Sequence, residues 1–112
     1  MNRDHFEKQL APFGVQVSEY GGECYFGESP CCSVSLAPFP TEEVQRATLA
    51  VRTPSAEKRK VLVNTFLDAA GVSRTPEIAD ALDGRERRVW SGSQCVTVAV
   101  LDDEYIVTVA TE

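Results

Sequence analysis

Hydrophobic and polar residues alternate along the first third of the chain. Cys32, Val34 and Leu36 occupy every second position, which is typical of a strand that buries one face. Turn residues at 21–22 and 27–30 divide residues 15–37 into three such segments. The pattern therefore predicts a meander of three short antiparallel strands over 15–37.

The last quarter of the chain is also rich in strand-forming residues. Two long runs, at 95–101 and 104–110, are separated by an acidic pair at 102–103. Such runs, divided by a two-residue turn, predict a β-hairpin. A shorter extended segment at 88–90 leads into a turn at 91–93 and then into this hairpin.

Helical spacing is found at the beginning and in the middle of the chain. A short first helix, capped by Asn2 or Asp4, is expected to end near Pro12. A long helix over 55–70 follows Ser55 as its N-cap and stops before Gly71. Its predicted apolar stripe consists of Val61, Leu62, Phe66, Leu67 and Ala70.

Two further segments complete the predicted elements. Pro76 is placed well for the first position of a short helix that ends at Gly84. Residues 41–53 fit either a helix or a strand, because their apolar residues satisfy both spacings. We favour a short turn or helix at 41–45 followed by a strand at 46–53.

Together these elements predict one α+β domain that spans residues 1–112. Strands lie on both sides of the central helices in sequence, which favours a two-layer arrangement. The antiparallel sheet comprises the N-terminal meander and the C-terminal hairpin, and a central pair of helices packs on it. A chain of 112 residues is long enough to bury a core without disulfides or a structural metal.

Composition and charge narrow the class of protein. The formal net charge is −6, which argues against binding nucleic acid through bulk electrostatics. No apolar run approaches the length of a membrane span, and the first residues lack the apolar stretch of a signal peptide. We therefore expect a cytoplasmic protein without a membrane partner. Residues 52–88 are slightly basic, whereas the acidic charge lies toward both ends.

Residues that usually carry catalysis or bind metals are scarce. His5 is the one histidine, and no Cys or His pair has the spacing of a zinc site. The four cysteines are expected to be reduced, with Cys32 buried as a small apolar residue. We predict no catalytic residues, no metal and no cofactor. A cysteine-dependent enzyme is a less favoured interpretation, since no orienting partner for a thiol is evident.

The two central helices also invite comparison with a DNA-binding helix-turn-helix. A turn that contains Gly71 joins them, and the following hairpin resembles a wing. Against this interpretation, the second helix contains Glu77, Asp80 and Asp83 and no basic residue. An acidic recognition helix would be repelled by phosphates, so a nucleic-acid partner is disfavoured.

The order of elements over residues 3–70 resembles that of class I type III secretion chaperones. The likeness rests on a first helix, short strands at 22–26, 33–36 and 47–51, and a long helix ending at 66–70. The resemblance implies a small, acidic, dimeric α+β protein that binds secreted effectors. The chain departs from that pattern after residue 70, because those chaperones end in a helix and this chain ends in a hairpin.

These observations favour a small acidic non-enzymatic protein that acts by binding another protein. It would be chaperone-, immunity- or inhibitor-like, of a bacterial or phage type, with a basic partner suited to its charge. A structural or assembly subunit, such as a virion connector protein, is the alternative, and homo-oligomerisation is left open. The candidate protein-binding residues are Tyr25, Phe39, Asp102, Asp103 and Glu104.

Overall fold

The computed structural model describes residues 1–41, 43–73, 76–83, 86–101 and 104–111. Three α-helices lie in this part of the chain: α1 (Arg3–Leu10), α2 (Ala56–Ala70) and α3 (Pro76–Asp83). The strands are β1 (Ser18–Tyr20), β2 (Cys24–Glu28), β3 (Cys32–Ala37), β4 (Arg46–Val51), β5 (Glu86–Ser91), β6 (Gln94–Leu101) and β7 (Glu104–Thr111). The predicted α+β class and antiparallel sheet are confirmed.

The strands form one seven-stranded antiparallel sheet in the order β1-β2-β3-β4-β7-β6-β5. The predicted meander and hairpin are therefore parts of a single sheet. The pairing of β4 with β7 joins them, with Leu49 opposite Val107 near the middle. Helices cover one face of this sheet, and the core lies between the two layers.

Local signals locate the helix ends as expected. The Asn2 side chain accepts a hydrogen bond from the Asp4 amide at the start of α1. Ser55 Oγ accepts from the Lys58 amide at 3.2 Å, and Gly71 ends α2 in the left-handed conformation at φ 75°. These contacts satisfy backbone groups that the helix itself leaves unpaired.

The helix layer differs from the predicted pair of central helices. The first helix joins it, because the buried rings of Phe6 in α1 and Phe66 in α2 lie 5.5 Å apart between centroids. The prediction for Val61 was wrong, since this side chain is 54% exposed. Successive residues of an α-helix differ by about 100°, so the face centred near Phe66 turns Val61 to solvent and buries Val63 instead.

The ambiguous segment 41–53 contains the favoured strand, but β4 ends at Val51, two residues before the predicted end. The described residues that precede β4 in this segment form no helix. Thr41 Oγ1 lies 2.9 Å from the carbonyl oxygen of Glu43 and 3.2 Å from that of Pro38, so its one hydroxyl hydrogen is shared between two carbonyls of this connector. Glu43 then forms an isolated bridge with Asn2, and the Val44 amide donates to Met1 O at 2.7 Å. These backbone contacts tie the first residues to the start of β4. The longest helix in the described part of the chain, α2, has 15 residues and is too short to span a bilayer.

Candidate protein-binding face

Side chains that alternate with the core residues lie on the sheet face opposite the helices, here called the open face. Their register is continuous across five strands. One row runs through Ser35, Thr48, Thr108, Thr97 and Arg88. The neighbouring row runs through Ala37, Arg46, Ala110, Cys95 and Trp90. No helix in the described part of the chain covers these rows.

Small side chains in the middle of the open face and long ones at its sides create a shallow depression of 390 Å³. We call its lining the arginine–threonine patch: Arg46, Thr48, Arg88, Trp90, Cys95, Thr97, Thr108, Ala110 and Thr111. Three of the threonines occupy directly paired positions on β4, β7 and β6. Their hydroxyl groups can each donate one hydrogen bond and accept others.

The arginines of the open face differ in their ion pairing. Arg52 lies 3.5 Å from a carboxylate oxygen of Glu28 and 4.0 Å from one of Glu104. By contrast, Arg46 and Arg88 have no ion-pair partner within the described residues. Although the net charge of the chain is −6, these two guanidinium groups line one depression. A guanidinium can bind a carboxylate through two parallel hydrogen bonds.

An exposed aromatic residue stands at each edge of the sheet. Trp90 on β5 is 52% exposed, and Tyr20 on β1 is 65% exposed. The Tyr20 ring lies 5.4 Å from that of Phe26 on β2. Tryptophan, tyrosine and arginine are the residues most enriched among those that dominate binding energy in protein interfaces. The ring of Trp90 lines the same depression as Arg46 and Arg88.

The residues that the sequence singled out lie elsewhere. Tyr25 is 5% exposed, and its hydroxyl donates to Pro40 O at 2.9 Å. The half-buried Phe39 meets the Tyr25 ring edge-on, with centroids 5.1 Å apart, so the structure does bring these two together. Their contacts are those of residues that anchor a connector onto the core. A binding role for them stays a prediction.

The acidic hairpin tip lies largely outside the described part of the chain. Asp102 and Asp103 are not among the described residues, and Glu104 is the half-buried first residue of β7. Glu104 is far from Tyr25 in the sheet, because β4 and β3 lie between β7 and β2. The predicted site residues therefore do not form one cluster among the described positions. Their role in binding a basic partner also stays a prediction.

Sequence reasoning missed Arg46, Thr48, Thr97 and Thr108 as members of one site. A signal was present in the alternation of small residues, such as Cys95, Thr97 and Ala99 on β6. That alternation indicates which residues share a face of one strand. Only the pairing of the strands shows that the threonine positions form a continuous row.

The cysteines show no sign of a reactive thiol at Cys32, the one that is fully buried. All four thiols are free, and Cys32 is fully buried beneath the helices. Burial raises the pKa of the Cys32 thiol, although a hydrogen bond with Ser29 opposes the shift. A thiol with a raised pKa stays protonated at neutral pH and is a weak nucleophile. Within the described residues, no three His, Cys, Asp or Glu side chains cluster as a metal site would require.

Comparisons with protein-family models, with curated proteins and with solved structures found no match to this chain.

Proposed function

We propose that this protein is a non-enzymatic binding protein whose open face receives an acidic segment of another protein. The observation that carries the proposal is the arginine–threonine patch. In this patch, two arginines flank hydroxyl groups and an exposed tryptophan. Neither arginine pairs with a carboxylate among the described residues. Carboxylates of the partner would pair with Arg46 and Arg88. An apolar partner side chain would pack on Trp90.

The geometry of the sheet specifies the spacing of the partner's carboxylates. Arg46 and Arg88 lie on β4 and β5, which are separated by three strand intervals. At about 4.8 Å for each interval, the two strands are about 14 Å apart, and Arg46 lies two residues along the sheet from the row of Arg88, so the two residues are about 16 Å apart. An extended peptide rises about 3.4 Å per residue, so carboxylates about four residues apart would come within reach of both long arginine side chains.

An acidic partner is compatible with the negative net charge of the chain. Surface charges more than about 10 Å apart are largely screened at physiological salt, so the local arginines dominate a contact at the patch. The overall charge still slows the approach of an acidic partner, and we expect association to quicken at higher salt. We place the activity in the cytoplasm, where reducing conditions suit four free cysteines.

Selection from a random peptide library tests the proposal even though the partner is unidentified. Selection on the wild-type protein should enrich peptides with two acidic residues about four positions apart. The Arg46→Ser, Arg88→Ser double variant should lose that enrichment. Arg87→Ser is the matched control, because Arg87 neighbours Arg88 but its side chain belongs to the other face of β5. Enrichment of basic peptides, or equal loss with Arg87→Ser, would contradict the proposal.

A further inference from the structure

A second depression lies on the other side of the sheet, between α2, α3 and β7. Its volume is 500 Å³, within the range of small-molecule binding pockets. Residues of α2, α3 and β7 line it together, so the fold of the helix layer creates it. The open face does not contribute to it. The cavity and the arginine–threonine patch therefore share no lining residue.

The floor of this cavity is apolar. Val63 from α2, Leu82 from α3 and the ring of Tyr105 from β7 form it. The Tyr105 hydroxyl donates a hydrogen bond to the Leu82 carbonyl oxygen, so it is already engaged. Val63 and Tyr105 are 4% and 8% exposed. Such a floor favours a hydrocarbon group over a polar one.

The mouth of the cavity is cationic. Among its described lining residues the charged ones are Arg59 and Lys60, which are adjacent on α2. The Arg59 guanidinium carbon lies 5.1 Å from the Tyr105 ring centroid, which places this cation over the apolar floor. Neither side chain pairs with a carboxylate in the described part of the chain.

We propose that this cavity binds a medium-chain aliphatic carboxylate. The carboxylate would lie between Arg59 and Lys60, and the hydrocarbon chain would pack on Val63, Leu82 and Tyr105. An anionic head joined to an apolar tail matches the cationic mouth and the apolar floor at once. A cation would be repelled at the mouth, and a wholly polar anion would leave the floor unused.

Isothermal titration calorimetry with three small probes separates these contributions. Octanoate should bind. Octanol, which has the tail without the charge, and butyrate, which has the charge with little tail, should each bind at least about tenfold more weakly. Equal binding of octanol would overturn the role of the cations. Equal binding of butyrate would overturn the role of the floor.

Anionic lipids also join an anionic head to an apolar tail, so the protein is tested in addition with vesicles of phosphatidylglycerol. Binding to vesicles in the absence of octanoate binding would overturn a site for the free carboxylate. Octanoate binding that vesicles do not compete away supports it.

Variants that each remove one positive charge test where octanoate binds. Arg59→Gln and Lys60→Gln should each weaken octanoate binding by about tenfold. Lys58→Gln is the matched control, because Lys58 is exposed in the same helical turn but does not line the cavity. Equal losses in all three variants would overturn the site. Ala79→Phe, which adds a ring to an exposed lining position on α3, should also reduce binding while the protein remains folded.

Discussion

Thr48 on β4 and Thr108 on β7 bring their hydroxyl oxygens within 3.4 Å of each other, although they are 60 positions apart in sequence. They sit at the boundary where the N-terminal meander meets the C-terminal hairpin. The same two residues lie at the centre of the threonine row on the open face. The seam that makes one sheet from two halves of the chain is thus also the middle of the proposed binding face.

Replacement of both hydroxyls at this seam should barely change stability. Valine has nearly the shape of threonine and a high strand propensity. Removing both partners of a hydrogen bond leaves no orphaned group, so the Thr48→Val, Thr108→Val variant should stay within about 1 kcal/mol of the wild type. Urea unfolding measures this free energy. A loss of several kcal/mol would mean that the seam depends on the hydroxyl contact.

The single tryptophan of the chain reports directly on the proposed binding face, since it is Trp90. An acidic peptide obtained from the selection should shift its fluorescence to shorter wavelength and protect it from acrylamide, because the half-exposed ring becomes buried. Arg88→Ser should abolish both changes, whereas Arg87→Ser should retain them. Unchanged fluorescence on binding would place the peptide elsewhere.

Phe6 should be essential for stability, because it attaches α1 to α2. Its side chain is fully buried, and its ring contacts that of Phe66. Phe6→Ala removes a large buried ring and should lower the free energy of unfolding by about 3–5 kcal/mol. The control is His5→Ala at the adjacent exposed position, which should cost less than about 0.5 kcal/mol. Denaturation monitored by circular dichroism compares the two, and similar losses would refute the role assigned to Phe6.

Because the thiol of Cys32 is buried, the protein should become less stable as the pH becomes alkaline. Burial raises the pKa of this thiol in the folded state. The contribution of this thiol to folding stability is therefore complete below its pKa in the unfolded chain, about 8.5, and is lost as the pH rises toward its pKa in the folded state. The physical reason is that the unfolded chain releases the proton first. The free energy of unfolding should thus decline above about pH 8.5.

Two cysteine variants separate this effect from other alkaline titrations. Cys32→Ala should flatten the decline, and Cys95→Ala, which removes a half-buried thiol on the open face, should retain more of it. Chemical denaturation at neutral and alkaline pH gives the two slopes. An unchanged slope in Cys32→Ala would show that another group causes the decline.

Much of the local structure could be predicted from the sequence because short-range contacts determine it. Ser55 and Gly71 mark the ends of α2 through hydrogen bonds to residues within four positions along the chain. Strand alternation likewise identifies the buried face, as with Cys32, Val34 and Leu36, which are all at most 1% exposed. Val61 shows the limit, since an apolar residue can lie outside the face that packing selects.

The net charge and the scarcity of catalytic motifs came from the sequence alone, and they led to a binding protein as the expectation. Only the tertiary structure decided which charges and rings meet. Arg46 and Arg88 belong to different halves of the chain, and Thr48 meets Thr108 only because β4 pairs with β7. Burial of the whole core determines that pairing. Because this burial is a collective property of the folded chain, no local pattern in the sequence encodes it.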